Sequence, residues 1–509
     1  MVNDVLTTEN ALLKSRVVEL ETLVKWYEEQ FRLNKHRQFG AKSEKSEYDI
    51  GQLSIFNEIE FTADTTVAEP EIVEVEKHYR KRKRLVNDSL PEGIPVETIE
   101  YKLPQEEQIC PDCSGSLHVI GHEARRELKI VPAQAVIVEH KSCTYACRDC
   151  DGGKIIKASI PEPVIKGSFA SPEAVAHVIC QKFVMGAPLY RQEQDWERNG
   201  ILLSRQTMSN WLIRCAEDWL EPIYERMKTK LLAHEVLHGD ETTLQVLNEP
   251  GKTAQSKSYM WLYRTSGGTK TPVVLYEYQP SRKHGHPKAF LERFKGYLHA
   301  DGYEGYHKLP GNIVIVGCWA HMRRKFDEAL KALPEKDREG SSAMPGKRYC
   351  DKLFEFERAF ANLEPDERLA KRRELSKPLL EEFYSWVGSV KDPPKTGLGK
   401  AAYYALSQRK YLERYLLDGR LEISNNRAER SIKPFVIGRK NWLFANTVKG
   451  AKASAVIYSI IESAKENGLK PFEYLAFLFK TMPDATTGEL DGLLPWGGNV
   501  PMPCRMQAN

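Results

Sequence analysis

A chain of 509 residues is too long for one ordinary core, and 41% hydrophobic with 28% charged residues is the balance of globular domains, roughly two to four of them. The formal net charge of +4 says little about partners, because acids and bases nearly cancel. No apolar run approaches the ~18 residues of a spanning helix and no basic-then-apolar leader opens the chain, so a cytoplasmic protein without a membrane partner is expected.

Residues 1–38 place Leu6, Leu13, Leu20 and Tyr27 seven apart, with Asn10, Val17, Val24 and Phe31 at the alternate offsets. Leu in one register, Val in the other and a single Asn fit a parallel two-stranded coiled coil, and hence a homodimer. The competing reading is an amphipathic helix packed on its own domain. Residues 39–90 lose this period, turn acidic, and then reach KHYRKRKR at Lys77–Arg84, six Lys/Arg in eight residues. Arg80, Lys81, Arg82, Lys83 and Arg84 suit a phosphate backbone, and a solvated linker is the alternative.

Residues 91–160 hold two C-x-x-C pairs, Cys110 with Cys113 and Cys147 with Cys150. Four thiolates at two tight turns suit one tetrahedral, structural Zn²⁺ with no open position. Ten cysteines without a secretory leader therefore read as metal ligands and inert thiols, not a disulfide framework. The 33 residues between the pairs include LKIVPAQAVIVEHKS, whose strand-like alternation implies a two-stranded zinc ribbon; Cys143 is a competing ligand. Residues 161–233 turn helical, with a start at Ser171-Pro172, a stop at Asn199-Gly200 and a new start at Ser204. This pair either presents Arg205, Gln206 and Asn210 to a major groove as a helix-turn-helix does, or is a plain helical pair with Trp211 and Leu212 in its core.

Beyond His234 the pattern changes to strands. VLHGDETTLQVL, SYMWLYRTS and TPVVLYEYQ read as a three-strand meander, followed by a helix at 287–294, a strand in GYLHADGY and a strand running into a helix in NIVIVGCWAHMRRKFDEAL. This is the order of an RNase H-like mixed sheet, here over residues 234–326 and 422–480 of a multidomain α/β chain. A helical insertion at 327–421 interrupts it and a tail at 481–509 follows.

Asp240 falls on the first of these strands and Asp301 at the end of the fourth, and adjacent central strands would bring them together. Carboxylates so placed can hold Mg²⁺ or Mn²⁺, and paired ions can activate a water and stabilise the leaving 3′ oxygen of a phosphodiester. A third carboxylate must come from a late helix, and Glu429 is the outstanding one. Each has a plainer reading: Asp240 could end a hairpin strand, Asp301-Gly302 is a common turn pair, and Glu429 could belong to a capping box. The stretch Arg430–Lys452, with six Lys/Arg including Lys433, Arg439 and Lys440 and no acid, offers a second phosphate-binding surface.

FGAKSEKSE, QLSIFNE, the CPDC and CRDC pairs, APLYRQE, HGDETTLQV, HADGYEGYHKL, CWAHMRRKF and NNRAERSIKPFVIGRKNWLFANT occur in order along the chain. Together they resemble the transposases of the insertion sequence 66 family nearly from end to end. The resemblance implies a leucine zipper, a zinc-binding domain, an RNase H-like core with a DDE triad, and activity on the terminal inverted repeats of the protein's own element and on target DNA. It places the triad on Asp240, Asp301 and Glu429, and leaves room for helper proteins from the same element. The separations are 61 and 128 residues, the second long enough to require the insertion. Cys318-Trp319-Ala320-His321 resembles a Cys-His signature found after the second Asp in several DDE transposases, which makes His321 a contact for the scissile phosphate or a flipped base, or else a buried structural histidine. Ser424 stands where the family has Asp, which removes a charge without touching the three ligands. A non-catalytic DNA-binding regulator and an RNase H-like nuclease without strand transfer are the rival functions, and residues alone do not separate cutting from joining.

Overall fold

The computed structural model describes residues 134–146 and 155–506, with Leu13, Lys14, Arg16, Val17, Leu20, Val24, Tyr27 and Glu28. The chain divides into two compact units, Lys42–Ile160 and Met1–Ala41 with Pro161–Asn509. In the smaller unit, β1 (Thr144–Ala146) pairs antiparallel with β2 (Ile155–Lys157), and the Ala158 amide continues the ladder to the Cys143 carbonyl. These strands bracket the second C-x-x-C pair instead of lying between the two pairs. Residues 134–142, expected as a strand from their alternation, carry no strand pairing among the described residues. Val136, Ile137 and Val138 are consecutive and all exposed, so neither strand face is selected and register is weakly specified. Cys110, Cys113, Cys147, Cys150 and the run Arg80–Arg84 lie outside the described residues.

In the larger unit, the described seam residues Leu13, Val17, Leu20, Val24 and Tyr27 are helical and exposed. Helices α1 (Pro172–Phe183), α2 (Leu189–Arg198) and α3 (Arg205–Cys215) follow the expected punctuation. Ser171 Oγ accepts the Ala174 amide and Ser204 Oγ the Thr207 amide, both at 3.1 Å, while Gly200 turns the chain at φ +78°. A π-helical turn at Ala216–Leu220 joins α3 to α4 (Glu221–Leu232).

The main sheet is mixed. β3 (Val236–Asn248), β4 (Lys257–Thr265) and β5 (Val274–Gln279) form an antiparallel meander. After α5 (Gly285–Phe290), β6 (Gly296–His299) returns parallel to β3, and β7 (Ile313–Val316) lies parallel to β6, giving the order β5-β4-β3-β6-β7. A late strand, β8 (Ala445–Thr447), pairs with the far half of β3. After β7 come α6 (Trp319–Lys331), α7 (Met344–Ala359), α8 (Pro365–Lys371), α9 (Lys377–Ser389) and α10 (Gly397–Leu412). The chain then enters α11 (Asn426–Trp442), α12 (Val448–Glu466) and α13 (Pro471–Thr481).

Two apolar cores result. In the first, Tyr276 packs on one face of the sheet against Phe435 of α11 and Tyr458 of α12, and Trp261 and Tyr263 pack on the other against Tyr306 and Phe290. Helix α12 also covers the edge of β5: Ser463 Oγ accepts the Val274 amide at 2.9 Å and Ser459 Oγ the Tyr276 amide at 2.8 Å, so the edge donors are satisfied. The second core joins Trp319, Met322 and Phe326 of α6 to Phe383 and Tyr384 of α9 and Ala401, Ala405 and Leu412 of α10. Arg372 closes that helical segment from a fully buried position. It pairs with Glu357 and donates to the carbonyls of Tyr415 (2.9 Å), Asp418 (3.0 Å) and Leu421 (2.7 Å), which returns the chain to the sheet.

Candidate active site

On β3 and β6 a histidine precedes an aspartate by two residues: His238-Gly239-Asp240 and His299-Ala300-Asp301. The parallel register sets His238 beside His299, and the two buried rings stack with centroids 4.4 Å apart. Burial holds both rings neutral, lowering the pKa of His238 to about 4 and that of His299 well below the ordinary histidine range. From this pair the two strands part. β6 ends at His299 while β3 runs on to Asn248, so Asp301 sits just past a strand end and Asp240 sits within a strand. The plain reading of Asp240 as a strand terminus is therefore overturned.

Asp240 Oδ1 accepts the Glu241 amide at 2.8 Å and Asp301 Oδ1 the Tyr303 amide at 2.9 Å. Glu241 is buried beside them, taking hydrogen bonds from Arg282 Nε and the Tyr306 hydroxyl, both at 2.7 Å. Arg282 also reaches Asp301 at 3.8 Å and lies over the Tyr303 ring, 3.9 Å from its centroid.

Glu429 enters from α11. It is the fourth residue of that helix, and its carboxylate does not return to the helix start as a capping-box residue would. One oxygen accepts Arg324 Nη2 at 3.1 Å and the other stands 3.6 Å from His321 Nδ1, both partners being on α6. The residue at the N-cap position, Asn425, also turns its side chain away from its own helix. Its Nδ2 donates to the Gly239 carbonyl at 2.8 Å, its Oδ1 meets His238 Nδ1 at 3.0 Å, and its amide donates to Cys318 Sγ at 3.1 Å. One asparagine thus ties β3 beside Asp240, the start of α6 and the start of the helix that carries Glu429.

The Asp240 carboxyl is pushed well above its ordinary value, first by burial and then by the charges of Glu241, Asp301 and Glu429. Glu429 Oε1 is buried and takes no hydrogen bond in the described structure. Carboxylates that crowd one another's charge, with a buried oxygen lacking a donor, have the chemistry of a hard divalent-cation site. The three carboxylates are not drawn within 4.8 Å of one another, however; Asp301 leans toward Arg282 and Glu429 toward Arg324.

The remaining expected residues lie elsewhere. Arg205, Gln206 and Asn210 are exposed on α3 while Trp211 and Leu212 are buried, and Arg205 pairs with Glu193 at 3.8 Å. On α11, Lys440 is exposed and Lys433 half-buried, and Arg439 donates to Thr243 Oγ1 of β3 at 3.0 Å.

Residues 167–453, more than half of the chain, match the model described as the transposase IS66 family. The chain belongs to the IS66 transposase family. Residues 107–151, which span both C-x-x-C pairs, match the zinc-finger binding domain of transposase IS66, and residues 459–496 match the IS66 C-terminal element. Residues 26–99 match the family's leucine-zipper region, described as transposase C of IS166 homeodomain. Three proteins of Sinorhizobium fredii, each named only as uncharacterized, are similar over most of their length. Protein y4hP is 30% identical over 82% of this chain and 77% of its own, y4jD 31% over 80% and 81%, and y4qI 30% over 79% and 76%. No helix among the described residues is long and apolar enough to cross a membrane.

Sequence reasoning missed Glu241, Arg282, Arg324 and Asn425 as parts of this site. The repeated His-x-Asp was a usable signal, since two equal spacings on strands expected to be neighbours imply paired histidines and converging aspartates. Arg282 carried none, because it sits in a loop whose approach to Glu241 depends on the tertiary fold.

Proposed function

We propose that this chain is a DDE-type DNA transposase that binds the terminal inverted repeats of its element and catalyses metal-dependent strand cleavage and strand transfer on an RNase H-like core. The observation that supports the reading is that Asp240 of β3, Asp301 just past β6 and Glu429 of α11 stand near enough for the charges of the last two to raise the proton affinity of the first. The strand order β5-β4-β3-β6-β7, antiparallel then parallel, supports the core assignment. Asp240, Asp301 and Glu429 would hold Mg²⁺ or Mn²⁺, which supplies water activation and charge neutralisation at the leaving 3′ oxygen. Around them, Arg282 and Arg324 orient Asp301 and Glu429 through ion pairs, and His321 stands beside Glu429. Tyr306 holds Glu241 in place beside Arg282 through its hydroxyl.

The other parts serve DNA binding and assembly. Cys110, Cys113, Cys147 and Cys150 hold a structural Zn²⁺ in a ribbon over residues 91–160. Arg80–Arg84 of the 39–90 linker, Arg205, Gln206 and Asn210 of the 161–233 helices, and Lys433, Arg439 and Lys440 contact DNA. The helix within residues 1–38 pairs two copies, and its exposed apolar seam supports this. The core spans 234–326 and 422–480 around the helical segment 327–421. The test is cleavage and joining of labelled element ends to a target plasmid in Mg²⁺. Asp240→Asn, Asp301→Asn and Glu429→Gln should each lower cutting by orders of magnitude with DNA binding retained. Near-normal cutting by either aspartate variant overturns the mechanism, and cutting without joined product reduces it to a nuclease.

A further inference from the structure

Beside the carboxylates lies a second donor set of different chemistry. Cys318 Sγ, a His321 ring nitrogen and a Glu429 carboxylate oxygen all lie within 4.8 Å of one another. His321 Nδ1 and Glu429 Oε1 are both buried, neither has a hydrogen-bond partner in the described structure, and they stand 3.6 Å apart. That spacing is too long for a hydrogen bond. It is close to the roughly 3.4 Å edge of a tetrahedron whose nitrogen and oxygen ligands stand about 2.0–2.1 Å from zinc.

The thiol fits as third ligand. Cys318 precedes α6, and its buried Sγ, which accepts the Asn425 amide at 3.1 Å, is held beside the other two donor atoms.

We propose that Cys318, His321 and Glu429 form a site for a thiophilic divalent cation such as Zn²⁺ or Cd²⁺, and that its occupation takes Glu429 from the catalytic ion and silences strand cleavage. On binding, the metal–sulfur bond replaces the S–H bond and the proton passes to buffer; nothing is oxidised or reduced. The silencing rests on the reading of Glu429 as a catalytic carboxylate, whereas the binding does not.

The full chain, carrying its structural zinc, is titrated with Cd²⁺ and followed by ultraviolet thiolate-to-metal absorption, and cutting in fixed Mg²⁺ is followed as Zn²⁺ is added. Wild type should gain absorption that Cys318→Ser lacks, and the Zn²⁺ needed to halve cutting, measured against each protein's own rate in Mg²⁺ alone, should rise at least about tenfold in Cys318→Ser. Extra Mg²⁺ should relieve the inhibition of wild type. His321→Gln, read by absorption alone, serves as the second variant and should weaken Cd²⁺ uptake as well. Equal absorption in wild type and both variants overturns the site. Absorption that Cys318→Ser removes, without any Zn²⁺ effect on cutting, overturns the silencing and places the fault in the catalytic role of Glu429.

Discussion

Replacing Asn425 by Ala should loosen the start of α11, which carries Glu429, from β3, which carries Asp240. The substitution deletes two buried contacts, Nδ2 to the Gly239 carbonyl at 2.8 Å and Oδ1 to His238 Nδ1 at 3.0 Å, while sparing the main-chain donation to Cys318 Sγ. Leaving a buried polar partner unsatisfied costs about 1–3 kcal/mol, so two partners give about 2–4 kcal/mol once some relaxation is allowed. The kinetic effect should be larger than stability alone explains. Gly239 adjoins Asp240, and the Asn425 carbonyl accepts the amide of Glu429 itself at 3.2 Å, so slack at this residue moves both ligands. Displacement of a catalytic group by about 1 Å commonly costs on the order of 100-fold in rate. Urea unfolding measures the first quantity, and cleavage of labelled ends at saturating DNA and Mg²⁺ measures the second. Asn425→Asp keeps the shape and the acceptor toward His238 but turns the Gly239 donor into an acceptor. It should therefore lose turnover while affinity for DNA stays within about threefold of wild type, as expected for a group that acts on the chemical step. Wild-type stability together with wild-type turnover in Asn425→Ala would refute the reasoning.

Two other outcomes follow from the charge and the surface of the described residues. The raised carboxyl of Asp240 means that the native state keeps a proton which the unfolded state has already lost, so stability falls as pH rises between the unfolded and folded pKa values. With chelator present, Asp240→Asn should be more stable than wild type at neutral pH and flatter in its pH dependence, and Mg²⁺ should raise the Tm of wild type by more than that of the variant; equal responses would contradict the electrostatic account. At the other end of the chain, changing Leu13 and Leu20 to Ser removes two exposed seam residues and should lower the sedimenting mass, which an unchanged mass would refute.

Much of the sheet was legible because its strands declare themselves locally. Val236–Asn248, Lys257–Thr265 and Val274–Gln279 are long runs rich in apolar, β-branched and aromatic residues bounded by turn signals, and each lies within a residue or two of its expected limits at most ends. Ser171, Ser204 and Gly200 act at helix ends through their own backbone neighbourhood, which is also local information. Where the reading failed, the cause was not local. Val136–Val138 looks like a strand in isolation but remains exposed, and β8 is too short to signal anything until β3 offers it a partner.

The same division runs through the site. Asp240 stands on β3 and Asp301 just past the end of its neighbour β6, and a parallel register plus a repeated spacing is enough to bring them near each other. Glu429 is another matter, because 128 residues separate it from Asp301 and no periodicity crosses that gap. What brings it back is Arg372, buried among the carbonyls of Tyr415, Asp418 and Leu421, and then Asn425, which grips β3. The helical segment between β7 and α11 is therefore more than a connection. Its second core fixes α6, whose Arg324 and His321 meet Glu429, so the helices between β7 and α11 help to set the position of the third carboxylate. A change that loosens that core without touching the pocket, such as loss of the Phe383 ring against Trp319 and Phe326, reaches the chemistry through α6 before it reaches the sheet.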